Sequence, residues 1–269
     1  METAILLSGA ISVSMFGMIS EKNNPRSNTP VYVESLQQSE QQKEFWKVLT
    51  KKSFNAKKLQ KFINSDVDIN SRNTNGDTPF LYAVRTHKNR LLEFLMKIPE
   101  VNVNAVDFGG NTSVIIAAKY KNIDLIKRLI NNVHYEQSDI LNFLCAYKNH
   151  QGLSDDQIQK CIDERVKIFI NTPNNYGNTA LMTAVSCGNY ALIRYLVEHG
   201  ANINQFNKFG VTPLLSAIEK SNKKIVKCLV EYNSDEIFFS NLYDTFLNLA
   251  KKKGLKKIAQ ILEKARARE

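Results

Sequence analysis

The sequence predicts an all-α repeat solenoid, because one short string occurs in it four times. Each copy places a glycine two residues before a threonine and continues with an apolar stretch: Asn75–Phe80, Gly109–Val114, Tyr176–Leu181 and Phe209–Leu214. The four threonines, Thr78, Thr112, Thr179 and Thr212, are spaced by 34, 67 and 33 residues. A period near 33 residues, here with one double step, is typical of stacked helical repeats. In such an array, function depends on extended surfaces.

Each threonine is predicted to be the N-cap of a short first helix, where its hydroxyl accepts a hydrogen bond from a free backbone N–H. Pro79 and Pro213 follow at the first helical position, where the missing N–H costs nothing. The glycine supplies the positive φ that a tight turn needs. An alanine stands five residues after each threonine and allows close helix packing: Ala83, Ala117, Ala184 and Ala217.

A second helix is predicted in the same register. Its apolar face combines residues 14 and 17 positions after the threonine, which share one side of a helix. These residues are Leu92 and Leu95, Ile126 and Leu129, Ile193 and Leu196, and Val226 and Leu229. Polar hairpins then follow at 103–105 and 201–204.

This combination resembles the ankyrin repeat, in which two antiparallel helices are followed by a β-hairpin finger. The resemblance extends from about Phe45 to the C-terminus. The histidine that the family usually has two residues after the proline is replaced by Leu81, Ile115, Met182 and Leu215. The usual inter-helix glycine is present as Gly188, but His87, Lys121 and Ser221 stand at the equivalent positions. We expect this drift to lower local stability without changing the fold.

We predict an apolar leader and polar linker over residues 1–41, and an ankyrin-repeat domain over 42–269. About seven helix pairs are expected in it: an N-cap at 42–72, repeats at 73–106 and 107–137, a divergent unit at 138–173, repeats at 174–206 and 207–239, and a C-cap at 240–269. In the divergent unit, 138–146 has the apolar content of a first helix but lacks the Thr-Pro opening. Ser154–Gln157 has the pattern of a capping box that starts a helix toward Ile170.

The leader contains an uncharged, mostly apolar run, Thr3–Ser20. A signal peptide would begin with basic residues, whereas the only early charge is Glu2. A membrane span needs about 20 strongly apolar residues, and this run contains several serines and glycines. An accessory helix or a disordered leader is the favoured interpretation, and a membrane anchor over 3–20 is the alternative.

The chain carries 36 basic and 26 acidic residues, for a formal net charge of +10. Half of this excess lies in Glu219–Glu269. A solvated capping face is favoured over a nuclear-import patch or a contact with an anionic surface. The four cysteines, Cys145, Cys161, Cys187 and Cys228, contain no Cys-x-x-Cys pair. They indicate free thiols in a reducing compartment, hence the cytosol, including a host cytosol after secretion.

No motif for catalysis, metal binding or a cofactor is present, and none of these is predicted. The sequence lacks a phosphate loop, a Gly-x-Ser-x-Gly elbow and a His-Glu-x-x-His motif. The histidines fall at inter-helix turns or repeat ends, without metal-ligand spacing. An enzyme that uses Cys145, His150 and Asp155 in the divergent unit is the weak alternative, since local spacing does not establish a catalytic geometry.

Protein binding is therefore the predicted function. The tips of the fingers carry Phe108, Tyr176, Phe206 and Phe209, and exposed aromatic residues there suggest anchors for a partner. Packing of Phe206 and Phe209 against neighbouring fingers is an equally weighted alternative. On the first helices we expect Tyr82, Arg85, Ile116, Lys119, Thr183, Ser186 and Glu219 to face the same groove. Nucleic acid is the weaker candidate partner, because the basic excess concentrates at one end of the chain.

Two further expectations come from resemblance alone. Asn204 matches the hairpin position that asparaginyl hydroxylases modify in ankyrin proteins, which makes it a candidate modification site. The Asn-, Lys- and Ile-rich, drifted repeats resemble those of ankyrin effectors from intracellular bacteria. That resemblance implies a non-catalytic scaffold that binds a host protein, with a membrane-associated adaptor as the competing class.

Overall fold

A computed structural model describes residues 40–65, 67–135, 154–232 and 238–266. The chain divides into two compact units, 1–43 and 44–269. Of the first unit, the structure describes residues 40–43, the beginning of a helix. The leader run at 3–20 and the segment 138–146 lie outside the described residues.

The described part of the chain forms thirteen α-helices. They are α1 Glu40–Thr50, α2 Ala56–Ile63, α3 Pro79–Arg85, α4 Asn89–Leu95, α5 Ser113–Lys119, α6 Ile123–Tyr135, α7 Asp155–Asn171, α8 Ala180–Ser186, α9 Tyr190–Glu198, α10 Pro213–Glu219, α11 Lys223–Tyr232, α12 Phe238–Lys252 and α13 Lys256–Arg266.

The predicted N-caps are confirmed in all four repeats. The hydroxyl of each threonine accepts a hydrogen bond from the backbone N–H three residues later, at 3.3 Å for Thr78, Thr112 and Thr179 and 3.1 Å for Thr212. Extended backbone at the threonine and α-helical backbone after it satisfy one of the free donors of the first turn. Each repeat therefore begins its first helix at the same place.

The first helices α3, α5, α8, α10 and α12 pack one on the next in a single row, and α9, α11 and α13 follow one another beside it. The core lies between the two rows. Ala83, Ala117, Ala184 and Ala217 are all buried, as are the predicted apolar residues of the second helices. Small residues at the first-helix contacts allow the helices to pack closely along the stack.

The double step in the period, from Thr112 to Thr179, does not add a further helix to the row of first helices. Helix α5 packs directly on α8, and the N–H of Asn175 donates to the carbonyl oxygen of Gly109 at 3.0 Å. These contacts make the repeats at 107–137 and 174–206 direct neighbours in the first-helix row. The helix pair predicted over 138–173 includes residues outside the described ranges and stays a prediction. Within that range, α7 packs on α6 and α8 through a face with the buried residues Val166 and Ile170.

The last pair, α12 and α13, lacks the short first helix of the repeats. Thr245 continues the spacing of the threonines, but it lies inside α12 and not at its N-terminus. Tyr243 stands where the other repeats have their turn glycine. Without a residue that favours positive φ, the backbone remains helical through this position.

We use the term finger for four five-residue turns that precede the first helices: Asn73–Asp77, Asp107–Asn111, Asn174–Asn178 and Asn207–Val211. In each, the first N–H donates to the fifth carbonyl oxygen at 2.9–3.1 Å, and the glycine N–H donates back to the first carbonyl. No residue in the described ranges is assigned to a β-strand. The fingers are thus closed turns, and the strands of the expected hairpins are not confirmed.

Candidate functional site

The fingers are held in shape by the side chain of their first residue. The side-chain oxygen of Asn73 accepts hydrogen bonds from the N–H groups of Asn75 and Asp77 at 2.9 and 3.0 Å. The same pair of bonds is repeated at Asp107, Asn174 and Asn207 with distances of 2.9–3.0 Å. Sequence reasoning missed these residues, although an Asn or Asp five positions before each threonine is a readable Asx-turn signal.

Side-chain amides also join one finger to the next. Asn174 donates to the side-chain oxygen of Asn111 at 2.9 Å, and Asn207 donates to that of Asn178 at 2.9 Å. The backbone adds a bond at each of these junctions, such as that from the N–H of Lys208 to the carbonyl oxygen of Tyr176 at 3.0 Å. The last three fingers therefore form a row tied together by both side chains and backbone.

The junction between the first two fingers uses an ion pair instead. Asp77 and Asp107 stand where later fingers have an acceptor and a donor, and two carboxylates cannot bond to each other. The guanidinium of Arg85 bridges them, with Nη2 2.7 Å from Asp77 Oδ1 and 2.8 Å from Asp107 Oδ2. Both carboxylates are buried, and Arg85 is half-buried.

Local hydrogen bonds shift the pKa values of Arg85 and Asp107 in this bridge. The hydrogen bond with Asp77 is the largest influence on Arg85, and it raises the pKa of the guanidinium despite burial. Burial by itself would raise the pKa of Asp107, but hydrogen bonds from Asn111, Arg85 and Gly109 outweigh it and lower that pKa below its usual value. Arg85, predicted to face a partner, is thus engaged between two fingers of its own chain.

The four aromatic residues predicted at the finger tips are all exposed. The exposed fraction is 64% for Phe108, 57% for Tyr176, 64% for Phe206 and 72% for Phe209. Phe108 also covers the preceding finger, because a Cβ atom added to Gly76 would lie 2.5 Å from its ring. The fingers thus present large apolar side chains to solvent on a hydrogen-bonded frame.

The predicted residues of the first helices have several environments. Lys119, Ser186 and Glu219 are exposed, and Thr183 is half-buried; Tyr82 packs edge-on against Trp46 with ring centroids 6.0 Å apart. Ile116 is a correction, since it is 2% exposed and belongs to the core. It lies on α5, which is covered on both sides by α3 and α8.

Asn204, the candidate modification site, is half-buried, and its N–H donates to the side chain of Asn202 at 2.9 Å. The equivalent residue Asn171, eight positions before its threonine, binds the next repeat: its amide donates to Gly200 at 2.9 Å, and its oxygen accepts from Asn202 at 2.7 Å. Asparagine at this position therefore supports the stacking of repeats, and the modification of Asn204 stays a prediction.

Chemistry-bearing side chains are dispersed in the described ranges. No group of three His, Cys, Asp or Glu residues there is arranged to hold a metal ion. His199 contacts the carbonyl oxygen of Tyr195 through Nδ1 at 2.7 Å and lies over the Tyr195 ring. Cys145 and His150 lie outside the described residues. None of the helices that the structure describes is long and apolar enough to span a bilayer.

The sequence profile of the family described as ankyrin repeats, three copies, matches residues 48–140 and 138–235. An ankyrin repeat protein of fowlpox virus is 30% identical over 145 residues, which cover 51% of this chain and 42% of that protein. An ankyrin repeat protein of Acanthamoeba polyphaga mimivirus is 42% identical over 105 residues, which cover 34% of this chain and 56% of that protein. The chain thus spans about half the length of these relatives.

Both relatives are viral, so the resemblance to bacterial effectors gains no support. Ankyrin repeats generally mediate protein–protein interaction. The recurrent caps, the stacked helix pairs and the family match over more than half of the sequence agree with one another. The chain belongs to the ankyrin-repeat family.

Proposed function

We propose that this protein is a non-catalytic scaffold that binds a partner protein with its fingers and the exposed side of its first helices. The observation that carries the proposal is the exposure of Phe108, Tyr176 and Phe209 on three consecutive fingers, and of Phe206 one residue before the last finger. Exposed aromatic residues that cluster on one surface of a soluble protein are typical of interaction sites. Aromatic residues are also enriched among those that dominate binding energy.

The frame beneath these rings favours binding. Anchors on a rigid scaffold lose less conformational entropy when a partner docks than anchors on a mobile loop. The bonds from Asn174 to Asn111 and from Asn207 to Asn178 hold neighbouring fingers in register. Removal of one central anchor is expected to cost about 2 kcal/mol of binding free energy, close to a thirtyfold change in Kd.

The charge of the fingers indicates the chemistry of the partner surface. In the last two fingers and their flanks, residues 171–178 and 202–211, Lys208 is the single charged side chain in the sequence. A partner that packs on Tyr176, Phe206 and Phe209 would therefore present an apolar surface, with an acidic group opposite Lys208. Lys119 on α5 adds a second exposed cation for an acidic group.

We also propose that the protein acts in a reducing compartment such as the cytosol. The thiols of Cys187 and Cys228 are free. Cys228 is buried, and burial raises the pKa of its thiol, which keeps it protonated and unreactive. An effector role against a host protein stays a prediction from resemblance.

The proposal is tested by quantitative affinity capture from cell lysate. The full chain would be compared with a variant carrying Phe108→Ala, Phe206→Ala and Phe209→Ala. A matched control would carry Tyr120→Ala and Ile168→Ala, which remove exposed apolar side chains outside the fingers. We expect a partner that the control retains and the finger variant loses. Equal retention by both variants, with helicity intact, would contradict the proposed surface.

A further inference from the structure

The segments that join the two helices of each pair form one edge of the stack. We define the inter-helix edge by one segment from each helix pair. Each segment begins at the last residue of the first helix and ends at the second residue of the second helix. In the described part of the chain these segments are 50–57, 85–90, 119–124, 186–191, 219–224 and 252–257. The inter-helix edge is separate from the fingers, which precede the first helices.

Direct contacts connect consecutive segments at every junction. Lys88 Nζ donates to the carbonyl oxygen of Leu49 at 2.7 Å and to that of Lys51 at 2.8 Å. The later contacts are Asn122 Nδ2 to His87 Nδ1 at 3.2 Å, Cys187 Sγ to the Lys119 carbonyl at 3.6 Å, Lys220 Nζ to the Ser186 carbonyl at 2.7 Å and Lys253 Nζ to the Glu219 carbonyl at 3.2 Å. The edge is therefore continuous from the first pair to the last.

The positive charge of the protein is concentrated on this edge. Leaving out Arg85, which is neutralised by its two aspartates, the segments hold fourteen basic residues: Lys51, Lys52, Lys57, Lys88, Arg90, Lys119, Lys121, Lys220, Lys223, Lys224, Lys252, Lys253, Lys256 and Lys257. Asp124 and Glu219 are the acidic residues within them. The resulting charge of +12 exceeds the +10 of the whole chain. Thirteen of the fourteen are exposed, and Lys88 is half-buried.

These cations also lack carboxylate partners. None of the fourteen forms an ion pair with a described carboxylate. Outside the six segments, nine described lysines and arginines form one: Lys43, Lys47, Lys58, Arg128, Lys167, Arg194, Lys227, Lys251 and Arg266. Two of them, Lys58 and Lys251, directly adjoin a segment. A surface that is merely solvated needs charged residues, but these can be of both signs. A row of like charges without ion pairs is instead typical of a surface that binds a polyanion.

We propose that the inter-helix edge binds the phosphate backbone of double-stranded nucleic acid without reading its sequence. Lysines dominate the row, and their ammonium groups act as point charges, without the planar fork by which arginine recognises bases. Stacking of unpaired bases is not favoured, because the exposed ring on the edge, that of Tyr120, packs edge-on against His87 at 5.2 Å.

The spacing of charge along the edge supports a duplex. The segment 186–191 carries no charge, so it divides the cations into a group over 50–124 and a group over 219–257. Packed helices lie about 8–10 Å apart, so the centres of the two groups are about 30 Å apart along the stack. A duplex presents the same face every ~34 Å. Both groups can therefore contact phosphates on one side of a duplex. Binding to a flat bilayer or to a flexible acidic peptide would not require this separation between the two groups.

The test is fluorescence anisotropy of a labelled 20-base-pair DNA duplex with the full chain, over a range of NaCl concentrations. The edge variant carries Lys223→Gln, Lys224→Gln, Lys256→Gln and Lys257→Gln. The control carries Lys61→Gln, Lys97→Gln, Lys160→Gln and Lys264→Gln, which lower the net charge equally at exposed sites off the edge. We expect the edge variant to weaken binding at least tenfold and to flatten the salt slope by about 3–4, since each phosphate contact contributes about 0.9.

The control should weaken binding less than threefold with its slope unchanged. Equal losses in both variants would overturn the proposal, because net charge alone would then explain the affinity. Absence of binding by the wild type at 100 mM NaCl would also overturn it. So would tighter binding, at equal charge concentration, to a labelled 20-residue polyglutamate or to phosphatidylserine vesicles. A Phe206→Ala, Phe209→Ala variant should bind the duplex normally, which separates this proposal from that for the fingers.

Discussion

Arg85 of one repeat donates a 2.8 Å hydrogen bond to Asp107 of the next. It thereby joins two fingers whose carboxylates, Asp77 and Asp107, would otherwise repel each other. The same guanidinium also pairs with Asp77 in the finger of its own repeat. The later junctions use Asn–Asn bonds in place of this ion pair. Substitution of Arg85 therefore measures what this link contributes to the free energy of unfolding.

Replacement of Arg85 by alanine should destabilise the protein by about 3–5 kcal/mol, because it leaves two buried carboxylates without their cation. Equilibrium urea unfolding of the full chain, followed by circular dichroism, provides the measurement. The control is Arg128→Ala, which breaks the exposed pair with Glu93 and should cost less than about 1 kcal/mol. Equal effects of the two substitutions would contradict the structural role of Arg85.

The charged link also predicts a pH dependence. The folded-state pKa of Asp107 is lowered, so its contribution to the free energy of unfolding is fully present above the unfolded-state pKa of about 3.9. That contribution is lost as the pH falls through the folded-state pKa. The difference in unfolding free energy between wild type and Asp107→Asn should therefore shrink between pH 5.5 and pH 3. Urea unfolding at several pH values measures it. A difference that stays constant over this range would show that Asp107 is not coupled to folding.

Positive backbone φ at the inter-helix turns predicts a stabilising substitution. Ser221 has φ of 57°, and the equivalent residue of the preceding repeat, Gly188, has φ of 70°. A residue with a Cβ atom pays about 1 kcal/mol or more in this conformation, partly offset by the greater entropy that glycine loses on folding. Ser221→Gly should stabilise by about 0.5–1 kcal/mol, and Gly188→Ser should destabilise by a similar amount.

Thermal and urea unfolding of these two single variants and of the double exchange provide the measurement. Near Gly188 the closest atom to an added Cβ is 4.0 Å away, so its substitution tests conformation without a steric clash. The exchange should restore stability close to that of the wild type, because the two sites lie in different turns. Stabilisation by Gly188→Ser would refute the assignment of strain to this position.

Two finger glycines with the same backbone conformation should respond differently to alanine. Gly110 and Gly210 have φ of 73° and 71°. A Cβ on Gly110 would meet the backbone nitrogen of Asn175 at 2.7 Å, whereas no described atom lies within 4 Å of one on Gly210. Gly210→Ala should cost about 1 kcal/mol from conformation alone. Gly110→Ala should cost about 1–3 kcal/mol more, because the next finger must move.

Denaturant unfolding of both alanine variants under the same conditions measures this difference. Hydrogen exchange at Asn175, whose N–H donates to Gly109, locates the expected loss of the finger junction. Equal costs for the two variants would mean that the fingers are not packed on one another in solution.

Local signals predicted the units of this fold well. An N-cap such as Thr78 depends only on a hydrogen bond to a residue within one helical turn. The shared face of Leu92 and Leu95 follows from helical spacing alone. For Phe206 the sequence left exposure and packing against a neighbouring finger equally weighted, and the structure shows the ring exposed. The finger row was not predicted, although its Asn and Asp residues were visible in the sequence.

The sequence by itself determined the repeat period, the starts of the helices, the buried faces and membership of the family. Those properties depend on short-range hydrogen bonds and on which residues avoid water. Only the tertiary structure decided which repeats are neighbours. It placed α5 on α8 across the double step, turned Arg85 from a candidate contact into a link between fingers, and buried Ile116. It also aligned distant lysines on one edge, because stacking brings together residues that lie about one repeat apart in the chain.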